Sequence, residues 1–409
     1  MKIIIICTGS ELLQGSVINT NATDLARQLR LHGMSPETIL TIPDEMAILR
    51  DAVASSLQNY DLVIISGGLG PTADDITRDA VASALNLTQK RVQEQEKKLI
   101  DYWQFRHGDK VYPETYLNQA NLPEYGEFIP NFNGTAPGIF IRLPDEIGNK
   151  LVAMLPGPPC ELIPMLPELA KKLMQYNSQT VYMQTTLMAG IPELEVERRC
   201  GVLPDVGKTF CATAEGCKLT IFSTDREKFN QAQEQVAVIF NSACVNAGGL
   251  PEELLELMRK KHFTFAAAES CTGGLIAKTL TDIPGSSDVL RGSVVSYANE
   301  VKNKVLGVPE EILRQHGAVS RQCAEAMLNG VSKLMTADCA LATTGIAGPG
   351  GGSGTKPVGL VYIGAKVGAK TIITENHFSG DRNAVRLKSC AQAMLMLREL
   401  LHENKVKHA

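Results

Sequence analysis

Phe263-Thr264-Phe265-Ala266-Ala267-Ala268-Glu269-Ser270-Cys271-Thr272-Gly273-Gly274 and Cys339-Ala340-Leu341-Ala342-Thr343-Thr344-Gly345-Ile346-Ala347-Gly348-Pro349-Gly350-Gly351-Gly352 follow one plan. Each starts as an apolar run with the length of a buried strand, then breaks into hydroxyl residues and glycines. In an open α/β sheet, ligands sit outside the carboxyl ends of strands, where glycines let backbone N–H groups approach an anion. Two such ends in one segment, one of them offering a serine, predict a site that grips a phosphate and attacks an atom beside it.

The flanking sequence supports that fold. Helices are expected at Pro251–Lys261, Gly273–Leu280 and Arg321–Met335, strands at Ser293–Tyr297 and Val358–Ala365, and a long closing helix at Asn383–Glu403. Residues 1 to about 170 alternate in the same way. Strands are expected at Lys2–Cys7, Ser35–Ile42, Leu62–Ser66 and Leu151–Leu155, and helices at Asn21–His32, Met46–Gln58, Asp79–Leu87 and Arg91–Phe105. Such alternation indicates a mostly parallel, doubly wound sheet. Between the two regions, Thr180–Met188 and Lys218–Thr224 read as half-exposed strands, and Glu193–Cys200 and Glu227–Phe240 as helices. Asn246-Ala247-Gly248-Gly249, followed by Pro251, marks a boundary. The expected organisation is therefore α/β over 1–172, a small α+β segment over 173–248, and α/β again over 249–409.

Composition narrows the class. The chain has 409 residues, 44% of them hydrophobic and 21% charged, which is ordinary globular usage with material for more than one core. A net charge of −4 gives no global attraction to nucleic acid or to an anionic membrane. No run approaches the length of a transmembrane helix, and the apolar start is too short for a secretory signal. Ten cysteines are scattered with neither C-x-x-C nor zinc spacing, so they read as free thiols in a reducing cytoplasm.

In the amino-terminal region, Gly67-Gly68-Leu69-Gly70-Pro71-Thr72-Ala73-Asp74-Asp75 follows an expected strand. Glycines open a nest of backbone donors for an anion, and adjacent acids suit a hard divalent cation. Asp74 and Asp75 could equally cap the following helix. Thr8-Gly9-Ser10-Glu11, Asn19-Thr20-Asn21, Asn133-Gly134-Thr135 and Pro156-Gly157-Pro158-Pro159-Cys160-Glu161 supply further polar turns near strand ends.

In the carboxy-terminal region, Ser270 sits at a strand-to-helix turn beside the amides of Gly273 and Gly274, the arrangement for a nucleophile with an oxyanion hole. No histidine falls in a motif, which leaves Lys302 and Tyr297, in Ser296-Tyr297-Ala298-Asn299-Glu300-Val301-Lys302, as the nearest candidates for a base. Lys302 and Lys304 can both also be read as solvated helix residues. Cys271 is a rival nucleophile, but neighbouring side chains point in different directions. Glu269 can orient the base, meet a ribose, or cap the turn. Thr343, Thr344 and Gly345 read as a phosphate or leaving-group cradle. Arg382 and Arg386, four apart, read either as a phosphate clamp or as a surface helix start.

These motifs, in this order, resemble the CinA (competence/damage-inducible protein A) family. Gly-Gly-Leu-Gly-Pro-Thr-x-Asp-Asp-x-Thr at 67–77 and Pro-Gly-x-Pro-x-Glu at 156–161 are similar to its amino-terminal, molybdopterin-binding-like domain. Glu-Ser-Cys-Thr-Gly-Gly, Ser-Tyr-x-Asn-Glu-Val-Lys, His-Gly-Ala-Val-Ser at 316–320, Thr-Gly-Ile-Ala-Gly-Pro-Gly-Gly and Lys-Pro-Val-Gly at 356–359 are similar to its carboxy-terminal domain. The resemblance implies an amidase acting on nicotinamide mononucleotide without a cofactor. Ser270 and Lys302 would be its catalytic pair, with Tyr297, Thr344 and an arginine at 382 or 386 assisting. It also implies an ADP-ribose pyrophosphatase dependent on a divalent metal (Mg, Mn or Co). There, Glu11, Asp74, Asp75 and Glu161 would be the metal-side acids, with Asp75 foremost, and Gly67, Gly68, Gly70, Thr72, Asn21 and Thr135 would contact substrate. Ser10 stands where the family's first loop carries an acid, which leaves that share to Glu11. A homodimer follows from the same resemblance. The 173–248 segment resembles a KH module but lacks a Gly-x-x-Gly loop flanked by basic residues, which argues against nucleic acid. The competing expectation is a non-catalytic partner in DNA uptake or damage response.

Overall fold

A computed structural model describes residues 1–145, 148–176, 180–245 and 249–404. The boundary expected at Asn246–Gly248 lies outside the described residues. The chain forms two compact units, Met1–Tyr182 and Met183–Ala409.

In the first unit the elements run β1 (Ile3–Thr8), α1 (Ser10–Leu13), α2 (Thr20–Leu31), β2 (Thr38–Ile42), α3 (Met46–Asn59), β3 (Leu62–Ser66) and α4 (Thr77–Ala84). They continue with β4 (Gln89–Arg91), α5 (Gln93–His107), β5 (Asn121–Pro123), β6 (Gly126–Ile129), β7 (Gly138–Arg142), β8 (Leu151–Leu155) and α6 (Pro159–Met174). The main sheet has the order β2-β1-β3-β8-β7-β6. The first four strands are parallel, in registers such as Ile3↔Leu62 and Leu62↔Leu151, and β7 and β6 are antiparallel. β1 and β3 are buried along their whole length, which is why they read as unbroken apolar runs. One face packs on Leu25 and Leu29 of α2 and Leu162, Leu166 and Leu169 of α6. The other packs on Leu49 and Val53 of α3 and Ala80 and Val81 of α4. The doubly wound fold follows from these two cores. The antiparallel edge, β6 and β7, was not legible from the sequence, because both strands are short and begin at glycine.

The second unit opens with β9 (Tyr182–Ala189), α7 (Glu193–Arg199), β10 (Gly207–Thr213), β11 (Gly216–Ser223), α8 (Arg226–Phe240) and β12 (Cys244–Val245). This antiparallel sheet has the order β10-β11-β9-β12. The remainder is α9 (Leu250–Lys260), β13 (Phe265–Glu269), α10 (Leu275–Thr281), β14 (Leu290–Val295), α11 (Asn299–Leu306) and α12 (Glu310–Gln315), then α13 (Arg321–Leu334), β15 (Cys339–Gly345), β16 (Leu360–Val367), β17 (Lys370–His377) and α14 (Arg382–Glu403). Its sheet has the order β14-β13-β15-β16-β17, parallel across β14, β13 and β15 and antiparallel beyond. Strand β17 escaped the sequence reading because it is an edge strand with a largely exposed, polar face. Helix α10 begins two residues later than expected. Gly273 and Gly274 have φ of 61° and 91°, a left-handed turn that keeps them out of the helix.

Within this unit the Arg398 guanidinium links the small sheet to the larger one. Arg398 of α14 donates to both carboxylate oxygens of Glu253 on α9, at 2.6 and 3.0 Å, and to the carbonyls of Ser242 and Cys244. Arg398 is buried and Glu253 partly so, and removing the carboxylate leaves the guanidinium without its counter-charge. Glu253→Ala should therefore destabilise the protein by about 3 kcal/mol, read as a lower midpoint in urea or thermal unfolding.

Candidate active sites

Parallel pairing of β13 with β14 and β15 brings three carboxyl-terminal ends to one edge: Glu269, Val295 and Gly345. The turns that follow carry Ser270, Tyr297 and the glycine-rich loop. α11 then rises from the turn after β14 and turns Lys302 and Leu306, four residues apart, inward. Lys304 lies on the outer face and pairs with Glu300. The two lysines that looked alike in sequence are thus separated by helical phase.

Lys302 is 1% exposed, and its Nζ donates to Ser270 Oγ at 3.0 Å, to the carbonyl of Ser296 at 2.6 Å and to that of Tyr297 at 3.2 Å. No carboxylate joins this set. Burial pushes the Lys302 ammonium below the ordinary lysine range. An ammonium has three N–H donors, and a neutral amine has two donors and a lone pair. With two carbonyls in place, the neutral form keeps both of its N–H bonds and directs the lone pair at Ser270. The geometry is that of a base and its nucleophile.

The remaining expected residues divide. Ser270, Tyr297, Lys302, Thr344, Gly345 and Arg382 line a cavity of about 230 Å³, with Ala318 and Val319 as another wall. Arg382 donates to the Tyr297 hydroxyl and to the Gly348 carbonyl, at 3.1 and 2.8 Å. Arg386 does not join it as a phosphate clamp: its Nε and Nη2 both donate to the Thr272 carbonyl, bracing the turn after the serine. Glu269 is fully buried and accepts from the amides of Ile276 and Ala277 and from Ser293 Oγ, so of its three readings the geometry has the helix cap. Thr343 lies behind the cavity with its hydroxyl on that of Thr272, whereas the Thr344 hydroxyl donates to the Ala318 carbonyl. Because Glu269 occupies the first helical amides, the N–H groups of Thr272, Gly273 and Gly274 have no acceptor among the described residues. These are the available oxyanion donors. The wall at Ala318 was quoted in a motif but given no role. Its signal was the His-Gly-Ala-Val-Ser run, which Lys356 anchors through the His316 carbonyl.

The first unit gathers its turns in the same way. The carboxyl ends of β1, β3 and β8 are adjacent, and the turn entering β7 reaches the same edge. Thr77 clasps the glycine turn through the carbonyls of Gly67 and Gly68, and the amides of Gly68, Leu69 and Gly70 have no acceptor among the described residues. Asn21 Nδ2 bridges Ser66 Oγ and the Gly157 carbonyl at 2.8 and 2.6 Å, while its buried Oδ1 has no partner. Asn21, Glu11, Ser66 and Gly157 line a cavity of about 320 Å³. A second cavity, of about 450 Å³, includes Asn131, Gly134 and Thr135. The Thr135 hydroxyl itself donates to Gln119.

The expected acids do not assemble into a metal cage. No group of three or more His, Cys, Asp or Glu side chains suited to a metal is present among the described residues. Asp75 accepts from the Thr72 amide and hydroxyl at 2.8 and 2.5 Å. Asp74 is exposed. Glu161 is bound by Asn131 and rests where a Cβ on Gly134 would overlap it. Near the first turn it is Asp44, which the sequence reading did not single out, that binds Thr8 Oγ1 and the Ser10 amide. These residues do not fit a resident ion held by the protein alone. Arg78, at the start of α4, was likewise missed: it is buried, and its Nε has no hydrogen-bond partner, with Asp79 Oδ1 3.8 Å away.

Two family models match the chain, one in each half. Residues 248–401 match the model of the "CinA C-terminal domain", and residues 4–176 match that of the "Probable molybdopterin binding domain". A "CinA-like protein" of Dictyoglomus turgidum is 36% identical over 411 residues, covering 97% of this chain and 98% of its own. The chain belongs to the CinA family. Among solved structures, competence/damage inducible protein CihA of Agrobacterium tumefaciens is 42% identical, covering 38% of this chain and 96% of its own, with a TM-score of 0.35. A CinA superfamily protein of Klebsiella pneumoniae is 32% identical over 38% of this chain and 96% of its own, with a TM-score of 0.37. The sequence resemblance to CinA and the mixed α/β class are thereby established. No helix among the described residues is long and apolar enough to cross a membrane.

All ten cysteines of this CinA family member are free. Burial pushes the Cys271 thiol up to about 12. At neutral pH it should resist alkylation while the exposed Cys160 and Cys211 react, as read by mass spectrometry of the labelled protein.

Proposed function

We propose that the second unit hydrolyses the carboxamide of nicotinamide mononucleotide to the acid and ammonia. The observation that supports this most is the buried, carboxylate-free Lys302 amine 3.0 Å from Ser270 Oγ. Neutral Lys302 takes the Ser270 proton as Oγ attacks the carboxamide carbon, and the turn amides hold the oxyanion. The C–N bond then breaks as Lys302 returns that proton to the leaving nitrogen, which departs as ammonia. Water next attacks the Oγ ester, giving a proton to Lys302. The C–Oγ bond breaks, Ser270 is reprotonated, and nicotinate mononucleotide leaves. At the cavity mouth, Arg382 meets the nucleotide phosphate and Tyr297, 63% exposed, lies against the pyridine ring. Free thiols throughout the chain support a reducing cytoplasmic setting.

The reaction requires the amine to be neutral, so the rate should rise with pH through the depressed Lys302 pKa, with a midpoint below lysine's ordinary value of about 10.4. Ammonia release should fall about 10²- to 10⁴-fold in Lys302→Ala, should reach background in Ser270→Ala, and should survive in Cys271→Ala. Purified protein that releases no ammonia from nicotinamide mononucleotide would instead favour a non-catalytic role.

For the first unit we propose ADP-ribose pyrophosphate cleavage at the Gly67–Thr72 turn. The unaccepted amides of Gly68, Leu69 and Gly70 support a bound pyrophosphate. With no cage of three or more His, Cys, Asp or Glu side chains among the described residues, a divalent cation would arrive on the substrate, because magnesium-type ions are held by one or two carboxylates plus phosphate oxygens and water. We assign that contact to Asp75, which accepts from Thr72. AMP release should fall by about 10²-fold or more in Asp75→Asn and should stop on chelation. Release unaffected by both would remove the assignment.

A further inference from the structure

A cavity of about 310 Å³ in the second unit takes no part in the amidase reading. Its volume is at the lower end of the range for small-molecule sites. Gln184 and Thr186 line it from β9, and Leu219 and Ile221 from β11, each pair two residues apart and so on one face of the small sheet. Thr185 and Thr220 have the opposite phase, and their hydroxyls meet each other at 2.8 Å. Gln233 and Val236 of α8 form the facing wall, and Asn241, at the end of that helix, closes one side. No Asp, Glu, Lys, Arg or His is among the described residues that line it.

A helix packed on a sheet meets it through apolar side chains, because a polar group buried there costs free energy unless it is paired. Here two glutamines and a threonine stand in that layer. Gln184 is engaged at both ends of its amide: Nε2 donates to Thr186 Oγ1 at 3.2 Å, and Oε1 accepts from Gln233 Nε2. Gln233 Oε1 and the Asn241 side-chain amide have no partner among the described residues. The cavity therefore offers one acceptor and one complete amide beside the apolar surface of Leu219, Ile221 and Val236. The chain that follows Asn241 is held in place, because Arg398 donates to the carbonyls of Ser242 and Cys244. With no charged side chain on its walls, nothing offsets the desolvation of an ion, which disfavours phosphates and carboxylates.

We propose that this cavity binds a small uncharged molecule with a planar ring and a carboxamide edge. The ring lies against Leu219, Ile221 and Val236. The carboxamide nitrogen donates to Gln233 Oε1, and the carboxamide oxygen accepts from Asn241 Nδ2. The site is independent of the amidase reading, since none of the residues lining it lines the Ser270 cavity.

Calorimetric titration of the full chain with nicotinamide, and with nicotinate as the charged counterpart of the same ring, tests this. Nicotinamide should bind more tightly than nicotinate by about 10-fold or more. Asn241→Gly removes the side-chain amide and keeps the backbone, because its φ of 42° is one that glycine adopts freely. It should weaken nicotinamide by about 5-fold or more. Ala237→Leu, on the α8 wall, fills the cavity without removing a hydrogen bond and should abolish this binding. Asn241 and Ala237 are both exposed, so unfolding midpoints should stay near the wild-type value. Neither substitution touches the Ser270 cavity, so nicotinamide held there would persist in both variants and be told apart. Nicotinamide affinity unchanged in either variant, nicotinate bound as tightly as nicotinamide, or no binding to the wild-type chain would overturn the proposal.

Discussion

A lysine amine taken out of water without a carboxylate is the constraint on which the second unit depends. Burial disfavours the charged form of Lys302, and only two carbonyls and one hydroxyl surround it. Each element nearby contributes to that arrangement. β13 delivers Ser270 and β14 delivers the carbonyls of Ser296 and Tyr297. α11 has the phase that turns Lys302 inward. The Glu269 carboxyl group and the Arg386 guanidinium are engaged by other partners: helical amides for one, the Thr272 carbonyl for the other. Had either charge faced Lys302, the balance between its two protonation states would differ.

The same economy of placement governs the first unit, where the chemistry is of another kind. Its turns present backbone N–H groups and a few isolated acids, without a concentrated charge. That layout suits a ligand bringing its own charge and counter-ion. Residues 157–159 line the Asn21 cavity, and Cys160 and Glu161, just beyond, accept from Asn133 and Asn131 of the turn before β7.

Much of this was legible in the chain itself. Buried parallel strands are apolar along their whole length and announce themselves, as Ile3–Ile6, Leu62–Ile65 and Phe265–Ala268 do. Strands that are short or exposed on one face carry little signal, which is why β6, β7 and β17 were missed. At the sites, the glycine turns and Ser270 were readable because backbone donors beside a strand end demand small residues. Less legible were the partners of side chains able to bond in several directions. Arg382 and Arg386 share a helix face, yet one guanidinium reaches a tyrosine and the other a backbone carbonyl. The four acids expected around a metal belong to three separate turns, each with its own hydrogen-bond partners.

The sequence by itself determined the α/β class, the glycine turns at strand ends in each half, and membership of the CinA family, because strand burial and glycine turns are local properties. Only the tertiary structure decided which lysine meets Ser270, which arginine braces the turn, and that the acids stand apart. Those outcomes depend on helix phase and on which carbonyl or amide lies within 3 Å or so of a flexible side chain. Distances of that kind arise between elements far apart in the chain, as between Ser270 on the turn after β13 and Lys302 on α11.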